Sequence, residues 1–302
     1  MVTIVCKDVK KTYMVGGQEI HALAGVDFEI KQGEFVVVVG PSGSGKTTLL
    51  NLLGGMDTPT SGDIMIGETN IAKYTARQLT EYRRRDVGFV FQFYNLMPNL
   101  TALENVELSV EISKHPLSPL EVLEQVGLAD RSKNFPAQLS GGEQQRVSIA
   151  RSVAKNSALI LCDEPTGALD YETGKRILKL LHDISRTRTR TYNFSHTHTL
   201  KPKKAAAEWK RILGQTAAAE ITATDGSIIA AQNQPITQIH VDTFRQNRIT
   251  QITVTATPQT IILVTHNSAL KDMADKVLFM KNGVINKMAI NESPKPIEEI
   301  DW

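Results

Sequence analysis

Apolar residues in this chain are bunched into short runs with polar turns between them. Phe35-Val-Val-Val-Val39 and Ala158-Leu-Ile-Leu-Cys162 are unbroken. A run of that kind predicts a strand, and the second suits the middle of a parallel sheet, where both faces are covered. Val87-Gly-Phe-Val-Phe91, ending in Gln92, and Thr260-Ile-Ile-Leu-Val264 predict two more strands. Residues 2–6 and 26–30 predict short strands flanking a loop over 13–23, and 61–67 a strand between turns.

Between the strands the period lengthens to that of a helix. Residues 48–53 continue a helix that Gly54-Gly55 stops, and 76–84 predicts another, followed by the solvated run Arg83-Arg84-Arg85. From about 100 to 154 the pattern is helical, with Thr101-Ala-Leu-Glu104 as a capping box and Pro116, Pro119 and Pro136 as breaks. Its last helix opens at Ser140 and puts Val147, Ala150, Val153 and Ala154 on one face. Strands alternating with helices predict an α/β fold with a mostly parallel sheet and an antiparallel β flank.

The chemistry begins where the first apolar strand ends. Gly40-Pro-Ser-Gly-Ser-Gly45-Lys46-Thr47-Thr48 has the P-loop spacing, in which glycines curve successive N–H groups around phosphate oxygens at the positive end of a helix. Lys46 is expected to reach the β- and γ-phosphates, and Thr47 to offer its hydroxyl to Mg²⁺. The 158–162 strand delivers two adjacent acids, Asp163 and Glu164, at its C-terminal end.

Composition narrows the class. At 302 residues, 41% hydrophobic and 22% charged, the chain can bury a large core, and a net charge of +2 supplies no global field for nucleic acid. Cys6 and Cys162 both fall in apolar runs, which fits buried thiols in a reducing compartment better than a disulfide or metal site. No stretch approaches the ~18 apolar residues of a membrane span, and the first residues do not read as a signal peptide.

Three further motifs follow the P-loop in order: Leu139-Ser-Gly-Gly-Glu143, Leu159-Ile-Leu-Cys-Asp-Glu164-Pro and Ile262-Leu-Val-Thr-His266. Together they resemble an ABC-type ATPase over roughly 1–185 and 260–290. The opening Tyr-x-x-Gly-Gly…His-Ala-Leu and the 54–62 segment are most similar to cassettes that serve macrolide export, lipoprotein release and peptide-antibiotic resistance. The resemblance implies an ATPase core over 1–92, 151–185 and 260–290, a helical signature subdomain over 93–150, and a tail over 291–302.

It also implies roles. Tyr13 would stack on adenine; Gly40, Ser42, Gly43, Ser44, Gly45, Lys46, Thr47 and Thr48 would hold the phosphates of ATP. Thr47, Gln92 and Asp163 would serve Mg²⁺, with Gln92 coupling to a permease. Glu164 would polarise the attacking water and His266 would contact the γ-phosphate. Ser140, Gly141 and Gly142 would complete the site of a second copy in a homodimer, and Asp170 would cross that interface. The implied place is the cytoplasm, peripheral on the inner face of the cell membrane, bound to a membrane permease subunit. An ABC ATPase serving DNA repair or ribosomes, and a scaffold with an idle ATPase, are the alternatives.

Residues 186–259 interrupt the resemblance. They hold ten Lys/Arg against four acids, a net +6. Arg186-Thr-Arg-Thr-Arg-Thr191 reads as a linker, 202–213 as a basic helix stopped by Gly214, and Ile236-Thr-Gln-Ile-His-Val with Ile249-Thr-Gln-Ile-Thr-Val as a β-hairpin. The expectation is a small inserted α+β or partly disordered segment whose charge suits an acidic partner; a tolerated, engineered or misassembled stretch is the plainer reading. His196, His198 and His240, with no cysteine near, fall short of a metal site.

Overall fold

The computed structural model describes residues 4–113, 116–186, 188–194, 209, 212, 215–223, 225–256 and 258–300. The helix expected at 202–213, apart from Trp209 and Ile212, and the pair His196 and His198 lie outside the described residues.

The chain starts with β1 (Ile4–Val15) and β2 (Gln18–Ile30), a long antiparallel hairpin. Most of the loop expected at 13–23 is therefore strand. Gly16 and Gly17 make the turn at φ 59° and 83°, conformations that glycine adopts without steric cost and that match the twist of paired strands. Then come β3 (Phe35–Val39), α1 (Lys46–Leu53), β4 (Ser61–Ile66), β5 (Thr69–Asn70), α2 (Ala76–Arg85) and β6 (Val87–Val90). Three helices follow: α3 (Ala102–Val110), α4 (Pro119–Gln125) and α5 (Gly141–Ala154). The capping box at Thr101 and Glu104 is present.

After β7 (Leu159–Asp163) and α6 (Tyr171–Ser185) the inserted stretch supplies β8 (Arg188–Asn193), β9 (Thr216–Ala217), β10 (Ile221–Thr222), β11 (Ile228–Ala230), α7 (Gln238–Gln246) and β12 (Gln251–Ala256). The chain closes with β13 (Thr260–Thr265), β14 (Lys276–Lys281) and β15 (Val284–Ile290).

A six-stranded sheet of order β15-β14-β3-β13-β7-β6 forms the centre. All its neighbours are parallel except β15, which runs against β14. Every residue of β3 and β13 is buried, which explains the absence of polar alternation there. Phe35, Val37 and Val39 pack beneath α5 and α6, while Val36 and Val38 face α1 and the four-stranded antiparallel sheet β2-β1-β4-β5. This is an α/β P-loop fold with an antiparallel flank.

Register carries the consequence for function. Thr265 pairs with Val39 and Val264 with Asp163, so the C-terminal ends of β3, β13 and β7 lie level and their following loops share one rim. Ligands of open α/β sheets bind at that rim.

The insert departs from expectation at two places. The Arg-Thr run is not a linker: from residue 188 it forms β8, paired antiparallel to β12 through six positions. Nor is there a hairpin between 236–241 and 249–254. Only the second segment is a strand; the first opens α7. Thr237 caps that helix, accepting from the His240 N–H while His240 Nδ1 accepts from the Thr237 N–H, and Val241 and Phe244, three apart, are buried on one side. The insert has a core of its own, in which Phe194 stacks on Trp209 at 3.8 Å and Phe244, Ile252 and Val254 close around them.

Both ends of the insert are tied to the core. Arg186 donates to Asp275 at 2.8 Å, and Gln259 Nε2 to the Ser157 carbonyl at 2.8 Å. These ties lie at the N-terminal end of β13, about 17 Å of strand from its other end. The segment expected as a tail folds back: Ile297 and Ile300 are buried against α6, and Tyr171 donates to the Ile300 carbonyl.

Candidate active site

The strand-to-helix turn after β3 is shaped by what cannot fit. A methyl group on Gly40 would stand 2.3 Å from the Met280 carbonyl oxygen, and one on Gly45 2.5 Å from that of Ala22. Gly43 and Gly45 take φ of 73° and 99°. Gly45 also caps α1 and brings no side chain to do so, which leaves the first N–H groups of the helix turned to an incoming anion. Lys46 Nζ donates to the Gly40 and Pro41 carbonyls at 2.8 and 3.0 Å, so its ammonium sits inside the loop.

A cleft of about 680 Å³ opens over this turn, lined among others by Ser42, Gly43, Lys46, Thr47, Gln92, Asp163, Glu164 and His266. Thr47 Oγ1 donates to Asp163 Oδ2 at 2.9 Å. Burial pushes the Asp163 carboxyl up, the Glu164 charge adds to this, and the Thr47 hydrogen bond and Lys46 oppose it. A hydroxyl and a carboxylate in contact at a phosphate loop, with Gln92 facing the same space, are the hard oxygen donors that Mg²⁺ takes.

Glu164 is held in an unusual posture. Its φ is 50°, in the left-handed region, and its N–H is fixed by the Val264 carbonyl at 3.0 Å. One carboxylate oxygen accepts from the His266 N–H and meets His266 Nδ1, both at 2.9 Å; the other accepts from Thr265 Oγ1 at 3.2 Å. An ionised carboxylate only accepts, so His266 Nδ1 must carry the hydrogen. The insert has not shifted His266 off the rim.

Other expected residues sit elsewhere. Ser140 caps α5 through a box with Glu143, and Gly141 and Gly142 form its first turn, outside the lining of the cleft. Gly142 lies under the loop of Gly167 and Ala168, which does line it. Asp170 caps α6 from an exposed position, its carboxyl held down by the hydroxyl and N–H of Thr173. Ser44 is buried beneath the turn, with its N–H on the Pro41 carbonyl. Tyr13 stands beside Thr48 of α1 and donates to Asp57 at 2.8 Å; burial and that carboxylate push the phenol up.

Phe93, Tyr94 and Gln145 also line the cleft and were not singled out by sequence reasoning. Gln145 is almost fully buried and donates to the Pro165 carbonyl at 3.3 Å. On α5 it shares a side with Ser148, Ile149 and Ser152, which are buried too, so the mainly polar pattern there gave no sign of it.

The sequence profile described as ABC transporter matches residues 23–167. An uncharacterized ABC transporter ATP-binding protein of Methanocaldococcus jannaschii is 47% identical over 188 residues, 59% of this chain and 80% of that one. Its cassette, solved as a dimer in a post-hydrolysis state bound to ADP and Pi, superposes with a TM-score of 0.68 at 31% identity, covering 96% of this chain and 99% of that one. A putative ABC transporter ATP-binding protein of Mycoplasma pneumoniae is 35% identical over 300 residues. That alignment takes in 98% of this chain and 50% of the relative, so it runs through 186–259. The macrolide export ATP-binding/permease protein of Shigella flexneri is 44% identical over 183 residues, and this chain spans 28% of it.

Proposed function

Because the chain belongs to the ABC transporter ATP-binding family, we propose that it is the ATP-hydrolysing subunit of an exporter, working as a pair of copies that close on ATP beneath a permease at the inner face of the membrane. Among the described residues no helix is long and apolar enough to cross a membrane, so the permease would be another chain or another segment. The observation that carries the reading is the meeting of Thr47, Asp163, Glu164 and His266 around Lys46 in one cleft.

Phosphoryl transfer needs positioning and charge neutralisation more than covalent help. Lys46 and the uncapped N-terminus of α1 would neutralise the phosphates. Thr47 and Asp163, assisted by Gln92, would hold Mg²⁺, which when bound spreads charge from the β- and γ-phosphates. Glu164 would orient the attacking water and receive its proton, and His266 would keep Glu164 aimed through its backbone N–H and Nδ1, with its ring beside the γ-phosphate. Tyr13, beyond Thr48, would give the adenine a ring to stack on. Ser140, Gly141 and Gly142 open a helix whose bare N–H groups would cap the γ-phosphate of a second copy, with Asp170 at the seam. We read 186–259 as a separate module that rides on this engine.

Glu164→Gln tests the assignment. It keeps the acceptor facing His266 and removes the base, so kcat should fall by about 10²–10⁴ while ATP stabilises a dimer measurable by light scattering. Ordinary turnover by this variant would remove Glu164 from its role.

A further inference from the structure

The turn after α1, Gly54-Gly55-Met56-Asp57, has no part in the phosphate chemistry. Gly54 is forced by its surroundings, since a methyl there would stand 1.8 Å from the Phe89 ring. Gly55, at φ 64°, then turns the chain back beneath β1. The turn is laced to that strand: the Thr60 N–H donates to the Lys10 carbonyl at 2.8 Å and the Thr12 N–H to Thr60 Oγ1 at 3.0 Å. Asp57 is thereby delivered to Lys11 and Tyr13, whose side chains both reach its carboxylate from β1.

The three side chains close on one another. Lys11 Nζ reaches Asp57 Oδ1 at 2.7 Å and the Thr58 carbonyl at 2.7 Å. Tyr13 donates its hydroxyl to the other oxygen, Asp57 Oδ2, at 2.8 Å. Lys11 Nζ also lies 4.9 Å from the centre of the Tyr13 ring, over its face. Only 12% of the Lys11 side chain and 31% of that of Asp57 are exposed, so the pair is shielded from screening. Hydrogen bonds from Lys11, Tyr13 and the Thr58 N–H outweigh burial and hold the Asp57 carboxyl below its ordinary range.

We propose that Lys11 and Asp57 are positioning residues for the nucleotide base, which lock the Tyr13 ring beside Thr48 with one face under the ammonium and the other free to stack on a purine. This rests on the reading of Tyr13 as the base platform. A phenol on a strand otherwise samples several rotamers and would have to be ordered at each binding event; here the hydroxyl is pinned and one face covered beforehand. The cation draws electron density from the ring, which favours the larger, electron-rich purine over a pyrimidine.

Stacking on the base is present alike in the ground state and the transition state, so its loss belongs in KM and not in kcat. Asp57→Asn and Lys11→Met should each raise KM for ATP about fivefold and leave kcat within about twofold. Preference for ATP over CTP should narrow, and Lys11→Arg should restore it. Inorganic tripolyphosphate, which has no base, should compete with ATP equally well in parent and variants. If Tyr13→Ala binds ATP as tightly as the parent, the platform reading fails. If Tyr13→Ala weakens ATP while Asp57→Asn and Lys11→Met do not, the platform stands and the positioning role is overturned. Equal loss of tripolyphosphate and ATP would also overturn it, by tracing the effect to the phosphate loop.

Discussion

Phe244→Ala asks whether the insert and the ATPase are separate folding units. Phe244 is wholly buried on α7, 6.5 Å from the Trp209 ring, in a cluster that shares no residue with the two clusters of the main sheet. Truncating a buried Phe costs about 3–5 kcal/mol. At about 0.05–0.15 kcal/mol per residue, a segment of about 70 residues holds roughly 4–11 kcal/mol, so the variant loses a large part of what keeps the insert folded. Its folding constant falls by about a thousandfold, since each 1.4 kcal/mol is a factor of ten. The ATPase should scarcely notice. Its rim lies at the far end of β13 from the points where the insert is tied, Arg186 to Asp275 and Gln259 to Ser157.

The assay is a urea titration in a Trp302→Phe background, where Trp209 alone reports the insert, run beside ATP turnover in the same solutions. In the parent both signals are measured; in Phe244→Ala the Trp209 transition should move to much lower urea while turnover persists. If the two curves shift together, the insert and the sheet form one cooperative unit and the separation of their cores means nothing energetically. The Mycoplasma pneumoniae relative aligns through this segment, which argues against an accident of assembly.

Asp163→Asn should abolish metal-dependent turnover yet raise the melting temperature at pH 7. A carboxyl raised in the folded state binds more protons there than in the unfolded chain, so its contribution falls as pH rises from the unfolded value of about 3.9 through the folded one. The gain should therefore shrink when the melts are repeated at pH 4, and an equal gain at both pH values would contradict the sign. Ile297→Ala, which removes a buried side chain from the surface of α6, should cost about 3 kcal/mol and lower the urea midpoint of the ATPase itself. An unchanged midpoint would make the 291–300 stretch a loose appendage.

What could be read from the chain was whatever is local. Gly40 to Thr48 carries its own turn chemistry within nine positions, and the runs 35–39, 158–162 and 260–264 announce buried strands by having no polar face. The motif order through Asp163-Glu164 then gave the class of fold and several of the residues that meet in the cleft, Lys46, Thr47, Asp163 and Glu164 among them. Pairings across long separations were not written there. The strands of the opening hairpin looked short because bulges between Cys6 and Val9, and again near Lys11, break the alternation that a longer strand would show.

Ile236-Thr-Gln-Ile-His-Val and Ile249-Thr-Gln-Ile-Thr-Val make the point most sharply. The patterns are nearly the same, yet the first leads into a helix because Thr237 and His240 cap it and Phe244 extends its buried side, while the second is a strand because β8 offers it a partner. Likewise Glu164 meets His266 across 102 positions and Asp57 meets Tyr13 across 44, contacts that exist only once the sheets are in register. Local periodicity and turn chemistry belong to neighbours along the chain and are fixed by the sequence alone. Which acid meets which base depends on how distant strands pair, and that was settled only when burying both faces of the sheet selected a single packing.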